Sequence, residues 1–320
     1  MKGNIYMAKD KDNGVFRTMI GGQALIEGIY MKGPHKQAIV INTPDGFAEK
    51  VEDLKPLKEK YPVLGLPVIR GIITFFTSLY TGVKALMYSA SFFPEEENAG
   101  ESKFDKWLEK KFGDKAEKLI IWFAVLFGVV FSVALFFVLP TLIAGLLTKQ
   151  VQSSFLRSLI EGGIRIVIFL LYLFLCSRMK DMRRVFSYHG AEHKTIHCYE
   201  AGLPLTVENV RKQKRLHPRC GTSFLFVVII LSILVFAIVK THNPVLRIVF
   251  RLLLLPVLVG ISYEFNRFVG AHDNWLTRVL SAPGMWLQYL TTNEPDDDMI
   301  RVGIRSLELV KPEVQGEDKW

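Results

Sequence analysis

Lys118 and Lys149 bracket thirty residues without a single charge, rich in Leu, Phe, Val and Ile, and Arg219 and Lys240 bracket twenty more. Each run reaches the roughly 20 apolar residues that cross a bilayer core as one helix. With half of all residues hydrophobic and the charges segregated between such runs, the expectation is an integral membrane protein. Four spans are expected in two pairs, about 119–147 and 155–177, then about 222–240 and 246–265. Arg157, Arg165, Arg247 and Arg251 fall toward the starts of the second members, where they are expected to snorkel to the interface. Arg157, Glu161 and Arg165 follow i, i+4 spacing and are expected to pair along one helix face.

Loop charge sets the expected orientation. Residues 178–219 carry ten Lys/Arg against four Asp/Glu, whereas the connections near 148–157 and 240–247 are short and sparsely charged. The positive-inside rule then puts 178–219 and both termini in the cytosol, in a multi-pass cytoplasmic-membrane protein. The first residues lack the apolar core of a signal peptide, and three scattered cysteines exclude a disulfide framework. The net charge of +9 is explained by membrane-flanking loops, and no aromatic-basic motif for nucleic acid accompanies it.

The expected fold is therefore mainly α, with about four transmembrane helices, an amphipathic interfacial helix and a small N-terminal β-containing cytosolic element. Residues 1–62 form that element, in which "QAIVINTPDGFAEKV" reads as strand, turn, strand around Pro44-Asp45-Gly46. Residues 63–93 show helical spacing of Ile69, Ile72, Ile73, Phe76, Leu79 and Val83 opposite Arg70, Thr74, Thr77 and Lys84. That pattern reads as an interfacial or re-entrant helix rather than a span. A charged connector follows at 94–117, then the first transmembrane pair at 118–177. A His/Cys-rich cytosolic segment occupies 178–221, the second pair 222–265, and a C-terminal cytosolic tail 266–320. An amphipathic helix is expected near 295–310, with Pro295 in its first turn and Ile300, Ile304 and Leu307 as its stripe.

The chemistry concentrates in "HGAEHKTIHCYE", residues 189–200, which holds three of the seven histidines at intervals of four. His189-Gly190-Ala191-Glu192-His193 is an H-x-x-E-H pattern, the inverted zinc-protease motif. On a helix the two imidazoles face one ion, and the glutamate can act as general base on water. A second feature, "HPRCGTS" at 217–223, places His217 and Cys220 in a tight turn like half a zinc knuckle. The candidate metal ligands are thus His189, His193, His197, His217 and Cys220, with Glu192 as the candidate catalytic base and zinc the expected divalent transition metal. Glu264 and Glu27 are candidate supporting carboxylates. The bland reading is a polar helix face whose histidines are satisfied by water or headgroups. The glycine-rich "GGQALIEGIYMKGP" at 21–34 matches no phosphate-binding loop, and its glycines are expected to serve packing or turns.

Together "GGQALIEGIYMKGP", "YHGAEHKTIHCYE", "HPRCGTSF" and "APGMWLQYLTTNEPDDD" resemble the YqhQ family of bacterial membrane proteins over nearly the whole chain. The resemblance implies little about activity. Members are described as candidate metal-dependent enzymes, and no catalytic residue is carried over. Two functional readings follow. One is a metal-dependent enzyme, hydrolytic, acting on a membrane-embedded lipid or peptide. The other is a non-enzymatic transport or assembly factor with a structural metal. Oligomeric state is not legible in the sequence.

Overall fold

The computed structural model describes residues 16–54, 61–93, 116–238, 244–272, 274–314 and 316–319. The expected connector at 94–117 lies almost wholly outside them, as does His242. The chain divides into two compact units.

The first unit gathers residues up to Phe92, Phe174–Val228 and Val257 onward. Its centre is a four-stranded antiparallel meander: β1 (Gly21–Leu25), β2 (Gly28–Lys32), β3 (Lys36–Thr43) and β4 (Gly46–Asp53). The expected hairpin is β3–β4, closed where Thr43 faces Gly46. Gly46 has φ 118°, open to glycine and strained for other residues. The glycine-rich stretch before it, expected to supply turns, forms a second hairpin, β1–β2. Its two-residue connection puts Glu27 at φ 51°.

Helices pack on both faces of the sheet, although β4 keeps no buried residue. Ile29, Met31, Ala38 and Val40 pack against Tyr188, Ala191 and Ile196 of α5 (Lys180–Glu200) and Met299, Val302 and Leu307 of α10 (Asp297–Val310). Leu25 and Tyr30 meet Ala85 of α1 (Ile69–Ala90) on the other face. Side chains alternate between faces along a strand, so β2 sends Ile29 and Met31 one way and Tyr30 the other. Fully burying such side chains contributes about 1.5–3 kcal/mol each. Helix α10 opens as its amphipathic stripe predicts, with Asp296 accepting from the Met299 N–H. Pro295 lies just before this cap rather than inside the first turn. Short α6 (Val207–Arg211) and the ends of α7 (Gly221–Ile238) and α8 (Pro244–Ala271) belong here too, with all of α9 (Trp275–Thr291). Helix α1 crosses α8 closely, since a Cβ on Gly71 would stand 2.6 Å from Tyr263 Cβ.

The second unit holds α2 (Ala116–Val133), one π-helical stretch (Ala134–Val138), α3 (Leu139–Leu147) and most of α4 (Ser154–Arg178), with the remainder of α7 and α8. Among the described residues, three helical stretches are long and apolar enough to cross a membrane: Trp122–Leu147, Phe155–Arg178 and Ile248–Ala271. The fourth expected span, about 222–240, meets a 17-residue apolar helix, Gly221–Ala237, and its last two expected residues lie outside the described ones.

One expectation needs correction. Arg165 and Arg251 do not snorkel; both are buried. Glu161, itself buried, receives both terminal nitrogens of Arg251 and lies 3.5 Å from Arg165 Nη2. Thr141 donates to the same carboxylate at 2.7 Å, and Arg165 reaches the Ser232 hydroxyl and, in the π-helical stretch, the Phe136 carbonyl. A carboxylate supplied from a neighbouring helix turn is what makes burial of these guanidiniums tolerable. Arg157 turns toward a loop, donating to the Val151 carbonyl, and the Arg247 side chain lies outside the described residues.

Candidate metal centre

Helix α5 carries His189, His193 and His197 one turn apart along one face, with the His189 and His193 rings edge to face and their centroids 4.3 Å apart. Opposite them is the turn 217–220, closed by the Cys220 N–H on the His217 carbonyl. Gln288 of α9 clamps this turn. Its amide accepts from the His217 N–H and donates to the His217 carbonyl, each at 2.8 Å, and also reaches the Ser223 hydroxyl.

The five candidate ligands separate into two groups. In the first, one ligand atom each from His189, His193 and Cys220 lie within 4.8 Å of one another. In the second, His197 and His217 are joined by Glu200, which was not singled out in the sequence although His197 and Glu200 stand one helical turn apart. The groups adjoin, with the His193 and His217 ring centroids 5.6 Å apart.

The ring nitrogens distinguish them. His189 Nδ1 is 2.8 Å from the Thr291 carbonyl and His193 Nδ1 is 2.6 Å from the Arg215 carbonyl. A carbonyl can only accept, so each Nδ1 carries the proton in the neutral ring and each Nε2 keeps its lone pair. His189 Nε2 faces Cys220 Sγ, 3.3 Å away. Backbone carbonyls that fix tautomer and ring plane are the usual support of ligating histidines. In the second group Glu200 is already engaged, by an ion pair with Arg219 and by the Thr18 N–H at 2.9 Å. His197 spends Nε2 on the Leu216 carbonyl.

Electrostatics follow this division. Burial disfavours charge on both His189 and Cys220, but their mutual attraction prevails: the imidazole is pushed up to about 9 and the thiol well below its usual value. The pair thus favours a thiolate beside a protonated His189, and a metal ion taking both as ligands would displace the Nε2 proton. Burial holds His217 down at about 3 despite its hydrogen bond to Glu200. Glu200, despite its own burial, is kept down at about 2 by His217 and Arg219.

Glu192 stands beside the first group, only 4% exposed. Its Oε1 accepts from the Gly22 N–H of β1 at 2.9 Å, while Oε2 is buried with no hydrogen-bond partner among the described residues. Burial raises its pKa, against the pull of His189 and His193. Two small residues make this packing possible. A Cβ on Gly22 would come 2.2 Å from the Tyr30 carbonyl, and one on Gly190 would come 2.0 Å from the Asn293 carbonyl.

The two supporting carboxylates lie elsewhere. Glu27 binds Arg184 through both oxygens and accepts from the Tyr188 hydroxyl at 3.1 Å. Glu264 is paired with Arg70 and accepts from the Val68 N–H at 3.2 Å. Each fastens a neighbouring element, β1–β2 to α5 in one case and α1 to α8 in the other. Cys198 is buried against Val210 and Ile300 and belongs to the core.

No solved structure matches the chain. A relative in Bacillus subtilis (strain 168), described as "Uncharacterized protein YqhQ", is 34% identical over 306 residues, 93% of this chain and 94% of the relative. The family described as "Protein of unknown function (DUF1385)" matches residues 66–313, a range that contains every member of both His-rich groups. The chain therefore belongs to the DUF1385 family, and it is similar to YqhQ over nearly its whole length.

Proposed function

We propose that this protein is a metal-dependent, hydrolytic enzyme of the cytoplasmic membrane, acting at the cytoplasmic face on a membrane-associated lipid or peptide. The observation that carries the reading is the donor set: two imidazoles with Nδ1 tied to carbonyls, a thiolate-favouring Cys220, and the unpartnered Oε2 of Glu192 beside them. Imidazole and thiolate together suit zinc, and three protein ligands leave the open position that catalytic sites keep. A divalent ion bound there supplies Lewis acidity and lowers the pKa of water. The residues do the rest. Thr291 and Arg215 hold the rings in register. Glu192 takes a proton from water at Oε2 and returns it to the leaving group, and the low exposure of the site keeps bulk water away. Three long apolar helices and the basic segment 178–219 support the membrane and its cytoplasmic side.

That same burial favours a second reading, a transport or assembly factor whose metal only fastens α5 to the 217–220 turn. One experiment separates the two. Full-length protein is purified for metal analysis, and each variant is tested for complementation of a strain lacking the gene. His193→Ala is expected to lose bound metal to background, and His197→Ala to retain it. Glu192→Gln is expected to keep metal yet fail to complement, since losing a general base costs roughly 10²–10⁴ in rate. Normal complementation by metal-loaded Glu192→Gln would overturn the enzymatic reading, and undiminished metal in His193→Ala would overturn the site.

A further inference from the structure

Helix α9 buries one face and exposes an apolar one. Thr277, Gly284, Leu287, Gln288 and Thr291 point inward, whereas Trp275, Val279, Trp286 and Tyr289 are 58–75% exposed. Arg278 is the one charged residue in its seventeen. Exposed Trp and Tyr on an otherwise aliphatic face are costly in water and suited to the headgroup region of a bilayer.

At the C-terminal end of α9 lies a cleft of about 260 Å³, formed with the end of α4 and the start of α5. Among the described residues Phe174, Ser177, Arg178, Arg183, Tyr289 and Asn293 line it, and no carboxylate does. Among the described residues neither Arg178 nor Arg183 forms an ion pair; the Arg178 guanidinium rests 4.7 Å from the centroid of its neighbour Phe174. Asn293 fixes the geometry, its N–H on the Phe186 carbonyl and its amide on the Arg183 carbonyl. A third guanidinium, Arg215, lies 5.8 Å from the Tyr289 ring centroid. The cleft begins where the apolar stretch Phe155–Arg178 ends, the level at which a spanning helix meets headgroups.

We propose that α9 lies in the membrane–water interface and that this cleft binds the phosphate-bearing headgroup of an anionic phospholipid. The apolar face of α9 takes the acyl boundary, and Arg178 and Arg183 face the phosphate, which planar guanidinium groups bind in bidentate fashion. The occupant is a lipid rather than a free anion, because the charged cleft and the exposed aromatic face adjoin and only a lipid presents both chemistries. The site is independent of whether the His/Cys group holds metal.

Tryptophan quenching in nanodiscs tests it. The full chain, with Trp107, Trp122 and Trp320 replaced by Phe, reports only from Trp275 and Trp286. Brominated phosphatidylcholine is expected to quench this emission. Brominated phosphatidylglycerol is expected to reach half-maximal quenching at a several-fold lower mole fraction, since each guanidinium near an anionic surface is worth about a five-fold preference. Arg178→Gln/Arg183→Gln should abolish the preference and retain quenching by phosphatidylcholine. Ser177→Glu, which puts a carboxylate into the cleft, should do the same should the double variant not fold. Absence of quenching by either lipid would remove α9 from the interface. Equal quenching by both, or a preference unmoved by either variant, would remove the headgroup site.

Discussion

At position 190 the space left for a side chain is smaller than a methyl group. The Asn293 carbonyl stands where a Cβ would be, and two residues earlier the Thr291 carbonyl holds His189. Gly190→Ala is therefore expected to push the exit of α9 away, costing about 1–3 kcal/mol as overpacking does. It should also lower bound metal without removing a ligand, because His189 loses its orienting carbonyl. Thermal unfolding and metal analysis check both; unchanged stability and metal content would contradict the packing described. Residue types and spacing made His189, His193, Cys220 and Glu192 legible in the sequence. Their separation from His197 and His217 was not, because the deciding groups are backbone: the carbonyls of Thr291 and Arg215 and the N–H of Gly22. Glu27 and Glu264 stand apart from both groups for a related reason. A carboxylate is claimed by the nearest guanidinium, and only the packed structure brings Arg184 and Arg70 alongside.

Elements whose pattern matched a single buried face were readable in advance, as α10 and the β3–β4 hairpin show. The β1–β2 hairpin was not. Five-residue strands rich in glycine and covered on both faces lose the alternation that betrays a strand. Helix α4 is the opposite case, its charges plain in the sequence but their destination not. The i, i+4 spacing revealed the Glu161–Arg165 pair, while the closer partner, Arg251, comes from α8. This arrangement makes a prediction at the level of helix packing. Glu161→Ala leaves two buried guanidiniums without their carboxylate and is expected to cost about 3–5 kcal/mol. Adding Arg251→Met should recover part of that loss, because the remaining charge is smaller. Thermal stability of the purified variants in detergent measures it; a double variant as unstable as the sum of its singles would show that the residues act independently.

For the molecule as a whole, the apolar runs foretold helices of the right length, but not that segments far apart in sequence would form one unit around the sheet. Hydrophobic runs report local length, whereas the pairing of distant segments depends on which faces fit. Orientation is tested directly. A cysteine at Gln152 is expected to react with an impermeant maleimide on intact cells, and one at Lys214 only after permeabilisation, because 178–219 is the basic segment. Labelling of Lys214→Cys from outside would reverse the orientation.

The edge of that unit is sealed by residues from opposite ends of the described chain. The Thr18 hydroxyl donates to Asp318 at 2.5 Å, the Met19 N–H donates to the Asp318 carbonyl, and Thr18 bridges to Lys319. His189 likewise waits for a carbonyl from residue 291, a hundred residues downstream. A growing chain emerges N-terminal end first, so α5 leaves the ribosome well before the groups that orient its histidines. The His/Cys group therefore matures late, and an interrupted chain carries the ligands without the scaffold that aims them.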